Sequence, residues 1–272
     1  MQSATSGFIA GLVIMLAAAG APGGRADAEE FDHTHAAYTA VLKARVVKGA
    51  VDYAALKAGR TALDGYLDAL AAVPSQTFRT WSEAQRLAFL FNLYNASTLR
   101  LIIDHYPVES IRKIGTMLKG PWAQPVVRLF GKTTTLDKLE HEVLRREYNE
   151  PRLHLALVCA ARGCPPLRRD AYRADGLDAQ LKQQSQSYLA SPVGMRIDRE
   201  RSRVYLSAIF KWYGKDFVKA YAGRIRAGNF GASGEASLGF ALEHVTPADR
   251  EYIKRGNYKL RHLDYDWSLN AQ

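Results

Sequence analysis

Both cysteines of the chain and one of its seven histidines fall within a single short stretch, Pro151–Pro166, read PRLHLALVCAARGCPP. A thiol becomes a nucleophile when a neighbour stabilises its thiolate, and that neighbour is usually an imidazole within hydrogen-bond reach. Cys159 or Cys164 could supply the thiol, and His154 is the nearest imidazole along the chain. The residues Leu153–Val158 have strand character, and the cysteines follow on a loop closed by Pro165-Pro166. Strand alternation places His154 with Ala156 and Val158, and Cys159 on the opposite, leucine side. A His154–Cys159 pair therefore requires the strand to bend near Val158. His141, His105 and His262 are rival bases. Backbone N–H groups of the Ala160–Gly163 loop are candidates for holding an oxyanion. Two other chemistries compete for the same sulfurs. In an oxidising compartment Cys159 and Cys164 could form a small disulfide that pins the loop. With nearby histidines they could also hold zinc, although the spacing matches no standard finger. The chain has no phosphate loop, no GxSxG elbow and no HExxH, so no cofactor or metal is expected.

These residues need a scaffold. Phe31–Lys48 has helical apolar spacing, and Gly49–Tyr53 reads as a turn and a short extended piece. Thr61–Val73 is a second amphipathic helix, stopped by Pro74. Ser82 caps a long third helix, Glu83–His105, whose middle is apolar nearly all round and so should be central. Asn92 and Asn95 lie inside that run, three apart on one face. They need partners, either a neighbouring backbone or a catalytic imidazole. Pro125–Leu136 reads as a hairpin turning at Gly131-Lys132, and Thr135 caps a helix over Leu136–Tyr148 with Leu136, Leu139 and Val143 as its core stripe. On that helix Asp137 reaches His141 at i, i+4, while Glu140 diverges toward another partner. Leu177–Leu189 is a polar helix. Gly194–Ile197 and Val204–Leu206 form a hairpin, and Ser207 caps the aromatic helix AIFKWYGKDF. Ala220–Ser237 carries four glycines and reads as a surface loop. Pro247–Arg255 starts a further helix, Tyr258–Leu263 is extended, and Asp264–Asn270 closes the chain. The expected architecture is α+β: a single domain, mostly helices around a small antiparallel or mixed sheet.

The chain has 272 residues, 47% hydrophobic and 24% charged, with a formal net charge of +10. Phe8–Ala19 is an apolar run too short to span a bilayer comfortably. A Gly/Pro turn and the cleavage pattern Ala26-Asp27-Ala28 follow it. This predicts a signal peptide over residues 1–28, although its n-region lacks Lys and Arg, and a periplasmic or secreted mature chain. The basic residues are scattered, which argues against nucleic-acid binding and leaves peripheral attraction to anionic surfaces.

Five stretches in order, LAFLFNLYNAST, TLDKLEHEVLR, PRLHLALVCAARGCPPLR, SAIFKWYGKDF and YDWSLN, resemble the uncharacterised family called domain of unknown function 547. The resemblance covers roughly Phe31–Asn270. It implies a single domain, often exported in bacteria, and similarity to papain-like and transglutaminase-like thiol hydrolases with a permuted order of core elements. On that view the family's motif positions fall on His154 and Cys159, on Glu140 and His141, on Asn92 and Asn95, and on Cys164. The expected function is a cysteine-dependent hydrolase or acyl transferase acting on a peptide or amide in the cell envelope. The alternative is a non-catalytic envelope domain with a Cys159–Cys164 disulfide, in which Trp212, Tyr213 and Trp267 line a ligand groove or simply pack.

Overall fold

Val46 and Val47, two β-branched residues in succession, end the first helix, α1 (Ala36–Arg45), and open a strand instead. The computed structural model describes Met1, residues 31–225 and residues 230–272, so the expected signal peptide, apart from Met1, lies outside the described residues. Strand β1 (Val46–Val47) pairs antiparallel with β2 (Ala50–Val51) across a turn in which Lys48 and Gly49 both have positive φ. Gly49 is required twice over: a Cβ there would also lie 2.6 Å from Pro166 Cβ, so this turn presses on the end of the cysteine loop. Helix α2 (Tyr53–Ala58), capped by the Asp52 side chain, has no counterpart in the sequence expectations. Helix α3 (Thr61–Ala72) stops before Pro74, and the short α4 (Ser75–Thr80) fills the gap before the central helix.

Helix α5 (Glu83–His105) runs between the expected ends, with a full Ser82/Gln85 capping box, a feature that stabilises a helix by about 1 kcal/mol. It is buried on nearly every face. A hairpin follows, β3 (Val127–Leu129) and β4 (Lys132–Thr134), with Phe130 and Gly131 as the positive-φ turn residues, one place earlier than expected. The Thr135 hydroxyl accepts from Lys138 N–H and starts a helix in three parts: α6 (Leu136–Lys138), a π-helical segment (Leu139–Leu144) and α7 (Arg145–Glu147). The wider π turn moves the buried stripe from Val143 to Leu144 and buries Glu140.

The expected strand Leu153–Val158 is a correction. Leu153–Ala156 is one helical turn, α8, and the chain becomes extended only at Leu157. Pro151 precedes it, and the Glu150 carboxylate accepts from the Arg152 backbone N–H and guanidinium, which fixes its start. A short apolar run buried on all sides has no period that separates a strand from a helical turn.

The remainder is α9 (Leu177–Leu189), β5 (Met195–Asp198), β6 (Arg203–Leu206), α10 (Ala208–Tyr221), α11 (Gly231–Ala241), α12 (Pro247–Arg255) and β7 (Lys259–His262). The three strands form a mixed sheet, with β6 antiparallel to β5 and parallel to β7. Helix α11 takes over the last part of the loop expected over Ala220–Ser237, from Gly231 onward. Its glycines serve packing: a Cβ at Gly239 would sit 2.7 Å from the Tyr221 carbonyl oxygen, and one at Gly214 of α10 would sit 3.0 Å from Ser233 Cβ. Small residues let the two helices approach. The architecture is α+β, mostly helical with three small sheets among the described residues, and Asp32–Gln272 form one compact unit.

One buried histidine ties stability to pH. His35, 1% exposed, is bonded through Nδ1 to the Tyr66 hydroxyl at 2.8 Å. Burial, helped by neighbouring His33 and opposed by Asp32, pushes its pKa down to about 4. The unfolded chain binds that proton below about pH 6.5 and the folded chain does not, so stability is lost as pH falls from about 6.5 toward 4. The loss from this group is up to roughly 3 kcal/mol. Urea midpoints of His35→Gln between pH 7 and 4 are expected to fall less steeply than those of the parent. Equal slopes would remove His35 as the cause.

Candidate active site

The helical turn α8 does what a regular strand could not: it turns His154 and the Cys159 loop toward the same space. Asn95 of α5 performs the key local task. Its Nδ2–H donates to the Ala156 carbonyl at 3.0 Å, and its Oδ1 accepts from Val158 N–H at 2.9 Å. The amide thus stands in for a missing strand partner just before Cys159. Asn92 clamps Tyr172 in the same way, at 2.8 and 2.9 Å. Both asparagines therefore hold backbone, and neither bonds a histidine among the hydrogen bonds of the described residues.

Beyond Val158 the chain turns at Ala160, which has φ of 56°. The C-terminal segment lies along the loop: Arg162 N–H donates to the Ser268 carbonyl and Gly163 N–H to the Asp266 carbonyl, both at 2.9 Å. A Cβ at Gly163 would lie 2.9 Å from Asp266 N, which explains the glycine. These bonds commit the Arg162 and Gly163 donors, two of the four N–H groups of the loop expected to hold an oxyanion.

The two cysteines are free thiols, Cys159 half-buried and Cys164 buried. Cys159 Sγ–H donates to Cys164 Sγ at 3.0 Å, and Cys159 N–H donates to the same sulfur, also at 3.0 Å. Tyr265 is bonded to Cys159 Sγ at 2.9 Å. Burial holds the Tyr265 phenol far above its ordinary range, so it keeps its proton and donates it to the sulfur. The bond to Cys164, together with burial, pushes the Cys159 thiol well up. Burial also opposes ionisation of Cys164, but the donors from Cys159 outweigh it and bring Cys164 below the usual thiol range. The pair thus gives up its first proton from Cys164 and keeps the second on Cys159.

A cavity of about 320 Å³ opens beside these sulfurs. Glu140, His141, His154, Cys159 and Cys164 all line it, so five of the seven residues singled out from the sequence converge. His154 is bonded to neither sulfur. Its Nε2–H donates to Asp216 Oδ2 at 2.7 Å, its Nδ1 faces Glu140 Oε1 at 3.8 Å, and its ring stacks on Tyr213 at 4.0 Å. Burial lowers its pKa, and the Asp216 bond opposes this only in part. Arg145 grips Asp216 through Nε and Nη2, at 2.7 and 3.1 Å, and donates from Nη1 to His141 Nδ1 at 2.7 Å. That donation fixes the His141 proton on Nε2, which faces Asp137 at 3.4 Å, the expected i, i+4 pair. Burial would raise the Asp216 carboxyl, but the His154 and Arg145 bonds override it and hold it well below the carboxylate range. Glu140, as expected, serves a different partner, accepting from the Tyr94 hydroxyl at 3.2 Å.

Sequence reasoning missed Asp216, Arg145 and Tyr265. Asp216 lies three residues after Tyr213 in the aromatic helix, the spacing that places both on one face of α10, but no local pattern linked them to His154. His105 instead bonds the Leu101 carbonyl at 2.9 Å, and His262 lies on β7, so neither rival base lines the cavity. No group of three or more residues suited to hold a metal ion occurs among the described residues.

Residues 78–189 match the model of one protein family, described as protein of unknown function, DUF547. This span is shorter than the one over which the motifs were read. It holds Asn92, Asn95, Glu140, His141, His154 and both cysteines, and it ends before Tyr213, Asp216 and Tyr265. No curated protein and no solved structure matches the chain.

Proposed function

We propose that this chain is an exported, cysteine-dependent acyl-transfer enzyme that hydrolyses or exchanges a peptide or amide bond of the cell envelope. One observation carries the reading: two unbonded thiols in mutual contact share a cavity wall with a carboxylate-paired imidazole. Cys159, the less buried of the two cysteines, attacks the carbonyl carbon. As the S–C bond forms, its proton passes to the Cys164 thiolate, 3.0 Å away. Histidine therefore gives way to the second cysteine as the base. As the tetrahedral adduct collapses and its C–N bond breaks, the leaving amine takes that proton from Cys164 Sγ, which restores the thiolate. Water or a second acceptor then releases the acyl group. Asn95 and Tyr265 position the nucleophile, the first by holding the backbone and the second by bonding the sulfur.

Iodoacetamide labelling of the purified, non-reduced chain, read by intact mass and peptide mapping from pH 5 to 9, tests this. Because the Cys164 thiolate takes its proton, adduct should form at Cys159 faster than at free cysteine below pH 8, vanish in Cys159→Ser and slow in Cys164→Ser. Two cysteines isolated as a disulfide, or ordinary slow reactivity at both, would leave the non-catalytic binding domain as the better reading.

A further inference from the structure

The cavity has a charge pattern opposite to that of the chain around it. The whole chain carries +10, yet none of the residues that line the cavity is Lys or Arg. Asp137 and Glu140 are among the residues that line it, as are Trp122, Trp212 and Trp267. Trp212 is 46% exposed and stacks on Trp267, with centroids 5.8 Å apart and planes at 24°. Trp122 meets Trp267 edge-on. These aromatic faces already attract cations within the fold. The Arg112 guanidinium sits 5.3 Å from the centroid of the Trp267 ring, and that of Arg145 sits 5.1 Å from the Tyr213 ring. Arg145 is otherwise spent on Asp216 and His141.

We infer that the part of the substrate held in this cavity is a primary alkylammonium group on an apolar stem, as a lysine-like side chain carries. An ammonium gains twice here, from a carboxylate that accepts its N–H groups and from indole faces that attract its charge. The methylene stem finds the indoles. A carboxylate-bearing ligand would meet acceptors at Asp137 and Glu140. The inference rests on the acyl-transfer reading only for what happens next to the bound group, and binding is measurable without turnover.

Tryptophan fluorescence of the reduced full chain, titrated at pH 7 and fixed salt with 1-aminohexane, 1-hexanol and hexanoate, tests it. The amine should bind at least about tenfold more tightly than hexanoate. Non-specific attraction to a chain of net charge +10 biases against this result. Asp137→Asn, at a side chain 57% exposed, should weaken amine binding about two- to fivefold. Trp212→Ala should weaken it roughly three- to tenfold. Any smaller preference for the amine, or unchanged binding in both variants, overturns the inference. If amine selectivity fails while Cys159 still labels, the acyl-transfer reading stands. If labelling fails while the amine binds, the cavity is an ammonium-binding site without thiol chemistry.

Discussion

Replacing Asn95 by leucine is expected to cost about 2–6 kcal/mol of folding stability, enough to consume much of what a domain of this size possesses. Leucine has the same number of side-chain heavy atoms, branched at the same carbon, so the variant chiefly removes polarity. Asn95 is buried, and its amide satisfies the Ala156 carbonyl and the Val158 N–H together. Without it both groups stay buried with no partner, each at about 1–3 kcal/mol. Asn95→Asp keeps the acceptor for Val158 N–H but loses the donor to Ala156, so it should fall between the parent and the leucine variant. Urea unfolding followed by circular dichroism measures both. If the leucine variant unfolded at the parental midpoint, the amide bonds described here would not hold this segment. A merely structural role would leave the chemistry of the folded fraction alone. Because Val158 leads directly into Cys159, the labelling rate of folded Asn95→Asp should drop as well.

The second large effect is expected at Asp216. Asp216→Ala removes the carboxylate that binds His154 and Arg145, leaving a fully buried imidazole and a guanidinium without their main partner. Breaking a fully buried pair costs about 3–5 kcal/mol. Asp216 and Arg145 are each more than a quarter exposed, so about 2–3 kcal/mol is the expected loss here. The pH dependence has a definite sign. The folded carboxyl is held below its unfolded value, so its contribution is complete above the unfolded pKa near 4 and fades as pH falls below that. Parent and variant stabilities should therefore differ fully at pH 7 and converge below pH 4. His154 should also lose affinity for its proton, since burial remains while the opposing bond is gone. Proton NMR of the His154 ring would show this as a titration displaced to lower pH. A difference in stability that stays constant down to pH 2, or an unmoved His154 titration, would refute the coupling.

Much of the architecture is legible from local chemistry. The Ser82 cap, the end before Pro107, and the apolar body between them define α5 with no reference to the rest of the chain. The Thr135 and Ser207 caps do the same for shorter helices. Positions governed by packing are different. Gly234, which reads as part of a loop, is helical, and a Cβ there would lie 3.0 Å from Leu260 Cδ2 and 3.1 Å from Phe230 Cβ. A run that reads as a strand before Cys159 is a helical turn because α5 offers an amide in place of a neighbouring strand.

Residue types and short spacings determined that a thiol, an imidazole and a carboxylate would gather near Pro151–Pro166, since nucleophiles and their supports sit on loops between well-formed elements. The fold alone decided which atoms meet. The sulfurs face each other and Tyr265, while His154 turns to Asp216, 62 residues away along the chain. Contacts across such separations depend on how whole helices dock, and no local periodicity encodes docking.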